Sequence, residues 1–276
     1  MTSIRKVAII GGSRIPFVRS NTSYSYASNM DMLSATLRGI VQRFDLDGER
    51  LGEVAAGAVM KHSRDFNLAR EATLNSGLSA QTPAYDVQQA CGTGLEAAIL
   101  VGNKIALGQI DSGIAAGTDT ASDAPIALNE KYRHMILNLN RAKTLGQRLK
   151  ALASIRPSFM LPLLPANAEP RTGLSMGQHC ELMVKEWGIS REDQDQLTFN
   201  SHQNLIAAYE RGFFDDLVQP FNGVERDGIM RDTPLSTLAK LKPAYDRANG
   251  TLTAANSTAL TDGAAAVLLG SEEWAQ

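Results

Sequence analysis

The sequence predicts an α/β fold, and three observations carry that reading. Continuous apolar runs of strand length recur at 5–12, 52–60, 112–119 and 261–271. Segments with apolar residues at helical spacing lie between the first three, and glycine, proline or capping residues mark the joins. Strands alternating with helices imply a largely parallel, centrally buried sheet covered on both faces.

Each element has a local reason. RKVAIIGG is contiguous rather than alternating in its apolar residues, as a strand buried on both faces must be. Over 29–44 the residues Met32, Leu33, Leu37, Ile40 and Val41 share one helical face. GEVAAGAVM is the next strand, a short helix follows over 68–76, and AYDVQQA behind Pro83 is a third strand. A helix over 91–107 and the strand SGIAAGTD complete the alternation. From 121 to 252 the character changes: four of the ten prolines fall between Pro157 and Pro170, and glycine punctuation becomes irregular. Within that excursion Ser190 is a good N-cap, acids fill the following turn and Gly212 stands at the far end, so a long helix is expected. TDGAAAVLLGS then returns to the first sheet as a last strand. The expected organisation is a core of 1–120 plus 253–276 with an inserted loop domain at 121–252.

Composition narrows the function. With 43% hydrophobic residues in 276, the chain has ample material for a large core. A net charge of −2 gives no global attraction to nucleic acid, and none is expected as a partner. No run approaches the ~18 apolar residues of a membrane span, and the N-terminus has no long apolar signal core, so a cytoplasmic protein is expected. Cys91 and Cys180 are the only cysteines, with no CxxC pair, and the four histidines share no ligand spacing, so neither a disulfide framework nor a metal site is expected. None of the histidines is assigned chemistry. VAIIGG resembles the opening of a dinucleotide fold, but Gly11 and Gly12 are followed by Ser13, Arg14, Ile15 and Pro16, which breaks the GxGxxG turn. Between Lys131 and Ala168 there is no acid, while Lys131, Arg133, Arg141, Lys143, Arg148, Lys150 and Arg156 are basic. That stretch suits a phosphate-bearing ligand, an acidic surface or a solvated helical face, and with SFMLPLLP behind it a peripheral membrane contact.

Chemistry concentrates on Cys91. It follows a strand and opens a helix in QACGTGLEAAIL, and the small Gly92, Thr93 and Gly94 leave room for a ligand. A thiol at a helix N-terminus meets unpaired N–H groups and the positive end of the helix dipole, which favour thiolate. The same donors can stabilise the oxyanion formed when sulfur attacks a carbonyl. The competing reading is a small-residue turn around an inert, buried cysteine.

At these residues the chain resembles the thiolase family. RIPF at Arg14 is similar to the family's early RTPF-type motif, and Cys91 in QACGTGLEAA stands at the position of its acylated cysteine. GTDTASDAP at 117–125, SMGQHCE from Ser175, and LAKLKPAYDRANGTLTAANSTALTDGAAAVLL at 238–269 resemble its further elements. NRAKTLGQRLK and TAANSTALTDGAA are most similar to thiolase subunits of trifunctional β-oxidation complexes and to their bacterial relatives, the acetyl-CoA acetyltransferases. The resemblance implies a βαβαβαββ half with a mixed five-stranded sheet and a coenzyme A binding loop domain. It also implies exchange between 3-ketoacyl-CoA plus coenzyme A and acetyl-CoA plus a shortened acyl-CoA, or the reverse condensation. Coenzyme A would be a substrate, with no tightly bound cofactor; a homodimer or higher oligomer and a hydratase/dehydrogenase partner subunit are implied as well. By position, Cys91 is the nucleophile, Met176 lines the acyl pocket, and Arg231, Thr237 and Thr258 approach coenzyme A; Cys180 matches no catalytic position. A ketoacyl synthase shares a nucleophilic cysteine at a helix start, but the long loop domain and TAANSTALTDGAAA resemble thiolase. Family members continue into a second half carrying NEAFA, GHP and CxGGG motifs, which are not in these 276 residues. The chain is therefore expected to be the N-terminal portion of a thiolase, and the alternative function is a catalytically incomplete coenzyme A binding or assembly module.

Overall fold

The computed structural model describes residues 4–276. Its strands are β1 (Val7–Arg14), β2 (Val18–Arg19), β3 (Glu53–Gly57), β4 (Ala84–Asp86), β5 (Ser112–Asp119) and β6 (Thr261–Ser271). The helices are α1 (Asn29–Arg43), α2 (Leu68–Leu74), α3 (Thr93–Ala106), α4 (Glu130–Arg141), α5 (Leu145–Ala153), α6 (Met176–Trp187), α7 (Arg191–Glu210) and the single turn α8 (Leu235–Leu238). Packing divides the chain into two units: the residues up to Asp123 together with Leu174–Gln276, and Ala124–Gly173. The excursion at 121–252 is thus shared between them.

In the first unit the sheet order is β1-β6-β5-β3-β4, with the short β2 also paired to β6. β3 pairs parallel with both β4 and β5, whereas β6 runs antiparallel to β1, β2 and β5. The sheet is mixed, as the resemblance implies, and not the largely parallel one that alternation alone predicts. β1, β3, β4 and β5 share one direction, each joined to the next by a helical crossover, whereas β6 arrives from the excursion and runs the other way between β1 and β5.

Ser28 starts α1 with a reciprocal cap, its hydroxyl accepting from the Asp31 N–H at 3.1 Å while the Asp31 carboxylate accepts from the Ser28 N–H at 3.0 Å. The apolar face that follows does the packing: Leu33, Leu37, Ile40 and Val41, with Leu68, Ala69 and Ala72 of α2, bury against Val54, Ile114 and Leu268. Each fully buried Leu or Ile contributes about 1.5–3 kcal/mol. On the opposite face Ala97, Val101 and Ile105 of α3 lie on Ala55, Ala115 and Leu269. The alanines in β3 and β5 let both helix layers sit close to the sheet. The other side of α3 exposes Leu95 and Ile99.

Buried polar groups tie α6 and α7 to the loop that leads into β6. The Glu181 carboxylate accepts from the Thr251 N–H at 2.7 Å and the Leu252 N–H at 3.1 Å. Asp195, paired to Arg191 at 2.8 Å, accepts from Asn256 Nδ2 at 3.1 Å. Ser190 caps α7 through the Asp193 N–H, and Gly212 ends it at a left-handed φ of 71°.

Gly57, at the end of β3, has no room for a side chain: a Cβ there would lie 1.8 Å from the Val87 carbonyl oxygen and 2.9 Å from Thr93 Cγ2. Gly57→Ala is expected to cost about 1–3 kcal/mol, read as a lower urea midpoint with an unchanged slope.

Candidate active site

The turn carrying Cys91 is closed by Thr93. After β4, the Val87 N–H donates to Ala56 O at 2.9 Å and extends the pairing. Ala90 then takes a left-handed φ of 45°, a conformation that costs an alanine about 1 kcal/mol. Thr93 offsets that cost: its hydroxyl donates to Ala90 O at 2.7 Å and accepts from the Gln89 N–H at 2.9 Å. The N–H groups of Gly92 and Thr93 donate to the carbonyls of Gln89 and Ala90. Cys91 therefore stands at the apex of a turn two residues before α3, rather than opening the helix. Two of the donors expected to serve an oxyanion are spent on the turn, and the next along α3 are those of Gly94 and Leu95.

The Cys91 thiol is exposed and lines a cavity of about 280 Å³ at the C-terminal ends of β3 and β5, walled also by Phe17, Val59, Gly94, Gly117 and Asp119. Glycines keep this space open. Nothing lies within 4 Å of a Cβ built on Gly94, and one on Gly263 would strike the Phe17 ring at 2.0 Å. Asp119 accepts from the N–H groups of Val59 at 2.8 Å and Met60 at 3.0 Å. Burial pushes its carboxyl up, and those amides pull in the opposite direction. Asp262, fully buried, accepts from the N–H groups of Ala121 at 2.8 Å and Ser122 at 3.1 Å and from the Ser122 hydroxyl. The two carboxylates fix the loops at the ends of β3 and β5. Sequence reasoning passed over both: Asp119 closes the β5 run and Asp262 opens the β6 run, but the amides they hold lie far along the chain.

The RIPF motif also has a physical role. Arg14 makes two parallel bonds to Asp227, at 2.7 and 2.8 Å, with its guanidinium over the rings of Phe17 and Phe214 at 5.1 Å each. The Phe17 N–H donates to the same carboxylate at 2.7 Å, and the Asp227 N–H donates to Tyr209 Oη at 3.1 Å. Burial pushes the Asp227 carboxyl up, but Arg14 and the Phe17 amide outweigh it and hold it below the usual carboxylate range. This clamp positions Phe17, one wall of the cavity.

A second cavity, of about 300 Å³, brings Arg231 and Thr258 together. His202 of α7 lines it with them, as do Ser201 and Ser257. Burial, and then the charge of Arg231, push the His202 imidazole down. Met176 is exposed at the first position of α6 and Thr237 is exposed on α8; neither lines this cavity or that of Cys91. Cys180 is half-buried in α6. A lone histidine on a polar helix gives no signal in sequence, because only the fold sets it beside Arg231. Among the described residues, no group of three or more His, Cys, Asp or Glu is placed to hold a metal ion.

A model of the thiolase N-terminal domain matches residues 7–273. The chain belongs to the thiolase family. It is 38% identical over 278 residues to a 3-ketoacyl-CoA thiolase of Pectobacterium carotovorum, an alignment covering 98% of this chain and 64% of that protein. A 3-ketoacyl-CoA thiolase of Photorhabdus laumondii is 41% identical over 271 residues, 96% of this chain and 62% of that one. The chain thus spans just under two thirds of the length of these thiolases. The crystal structure of the Bacillus anthracis acetyl-CoA acetyltransferase superimposes with a TM-score of 0.81 at 24% identity, over 100% of this chain and 68% of that one, which shows the shared thiolase fold.

For this thiolase-family chain the Arg14–Asp227 clamp sets a pH dependence. A carboxyl depressed in the folded state contributes stability above its unfolded value of about 3.9, and that contribution is lost as pH falls through the folded value. Asp227→Asn, which leaves Arg14 buried without its counter-ion, is expected to cost about 3 kcal/mol at neutral pH. Urea titrations at neutral pH and at about pH 3 should show the gap between wild type and variant narrowing in acid.

Proposed function

We propose that this chain carries the acyl-accepting half of a thiolase, with Cys91 as the nucleophile that takes an acyl group from a coenzyme A thioester. The observation that carries this reading is the exposed Cys91 thiol at the mouth of a glycine-lined cavity on the C-terminal edge of the sheet. In thiolysis the Cys91 thiolate attacks the keto carbon of a 3-ketoacyl-CoA. The bond between that carbon and the adjacent methylene breaks, and its electron pair leaves with the acetyl-CoA fragment, which takes up a proton. The acyl-Cys91 thioester then passes its acyl group to the thiolate of coenzyme A, which restores the Cys91 thiolate; run backward, the same steps condense two acyl-CoA molecules. The cavity holding Arg231, Thr258 and His202 is read as a place for a phosphorylated part of coenzyme A, its cation and hydroxyls complementing phosphate.

Asp119 is the one titratable side chain besides Cys91 among the residues lining the Cys91 cavity, and its carboxylate is engaged by two amides. That observation favours a second reading for the chain by itself: it holds coenzyme A and forms a thioester, while the proton transfers of carbon–carbon bond cleavage require groups from a second half. The exposed Leu95 and Ile99 on α3 support such a half docking there. A homodimer and an association with a β-oxidation hydratase/dehydrogenase subunit belong to the same proposal. Cys91 and Cys180 are both free thiols, in accord with a reducing, cytoplasmic setting.

In the second unit α5 buries none of its side chains, and Leu145, Leu149 and Leu152 stand exposed with Leu161 and Leu164 beyond them. Arg141 and Lys150 line a hollow of about 460 Å³ within this unit. Exposed leucines among acid-free basic residues support a peripheral contact with an anionic membrane surface. Among the described residues no helix is long and apolar enough to cross a membrane.

Two measurements test these readings. Iodoacetamide or acetoacetyl-CoA is expected to modify Cys91 at least about tenfold faster than Cys180, with Cys91→Ser abolishing the fast adduct in intact-mass spectra; equal rates at the two thiols would count decisively against the nucleophile. Sedimentation with phosphatidylserine vesicles should pull down the chain at low salt and not at high salt, and Leu145→Glu with Leu149→Glu should release it. Equal partition onto neutral vesicles, or no partition, would rule out the anionic-surface contact.

A further inference from the structure

The cavity of Arg231 and Thr258 contains one group whose charge changes near neutral pH. His202 reaches it from α7, while Arg231 and the 255–259 segment come from other parts of the chain. Of the lining residues only His202 and Arg231 are titratable, and no carboxylate faces the space. The remaining polar walls are Thr198, Ser201, Asn256, Ser257 and Thr258. Asn256 is committed elsewhere: its Nδ2 donates to Asp195 and Thr251 O, and its Oδ1 accepts from the Thr253 N–H. Arg231 also lines a separate hollow of about 180 Å³, together with Tyr209, Glu210, Arg226 and Asp232.

We propose that His202 is a proton-linked anion receptor, taking up a proton when a phosphorylated ligand enters this cavity, so that the affinity of the site rises as pH falls. The inference rests on the coenzyme A reading above and adds a regulation to it. With the cavity empty, a protonated ring would face Arg231 with no negative charge between them, and partial burial adds to the cost; both effects keep the imidazole neutral. A phosphate group reverses the balance. It lies between two cations, accepts from both, and makes protonation of the ring favourable where it was opposed. Linkage then fixes the sign. Affinity is lowest above the pKa of the occupied site, climbs as pH falls through it, and levels off below the pKa of the empty site. Each unit by which the ligand raises that pKa is worth about tenfold in affinity. The proton comes from solvent, and no covalent bond is made or broken.

The test is calorimetric titration of the 276-residue chain with coenzyme A, in two buffers of different ionisation enthalpy, from about pH 8 to about pH 6. His202→Gln, neutral and similar in size, is the comparison, and it subtracts the ligand's own phosphate and thiol ionisations. The expected result is net proton uptake by the wild type and a Kd that tightens by at least about threefold relative to the variant over that range, with the two proteins alike at the alkaline end. His202→Lys, which keeps a positive charge at every pH tested, should bind tightly throughout without the added uptake. Coenzyme A binding with the same proton uptake and the same pH profile in wild type and His202→Gln would overturn the assignment of His202 and leave the coenzyme A reading standing. Failure of the wild type to bind coenzyme A at any of these pH values would overturn that reading and the inference with it.

Discussion

The pairing of β6 between β1 and β5 is the constraint on which the rest of this fold depends. β6 registers with β1 from Val7 opposite Ser271 and with β5 from Ser112 opposite Gly270, so it joins the start of the chain to its middle. Its small residues admit helices on both faces, and its first residues, Thr261 and Gly263, become walls of the Cys91 cavity. Asp262, carried between them, holds the turn at Ala121 and Ser122 where the excursion leaves the core. One strand with two long-range ladders therefore sets the sheet order, the mouth of the cavity and the point from which the 124–173 unit departs.

Much of this architecture was legible in the residues, for a definite reason. A strand buried on both faces must be apolar throughout, and the runs SGIAAGTD and TDGAAAVLLGS coincide with β5 and β6 to the residue. The cap at Ser190 and the glycine at 212 are equally local signals, and α7 follows them. Strand direction is not local. It follows from how the connection runs, so alternation alone does not give the antiparallel β6, and the mixed sheet came only from the resemblance. The helix starts at Thr93, two residues after the expected position, for a related reason: the left-handed turn at Ala90, closed by the Thr93 hydroxyl, leaves no trace in hydrophobic pattern.

The site shows the same division. Cys91 was visible because nucleophile chemistry attaches to a residue type in a strand-to-helix context. Asp119, Asp227 and Asp262 were not, since their roles lie in partners far along the chain: Asp227 meets Arg14 from 213 positions away. His202 was set aside as a lone histidine, and only folding places it beside Arg231. Arg231 and Thr258, named by resemblance, share a cavity, whereas Met176 and Thr237 lie outside it. Motif position thus locates a segment, and packing decides which of its side chains face a common space.

The late place of β6 in the chain also bears on how the protein is made. A ribosome releases β1, β3, β4 and β5 long before residue 261, and during that interval β1 has no ladder to join while β5 presents a bare edge. Nascent chains in this condition are open to edge-to-edge association. Chaperone holding during translation should therefore matter more to this sheet than to one whose strands are completed in order of synthesis, and slowing elongation just before residue 261 would lengthen the hazardous interval rather than aid folding.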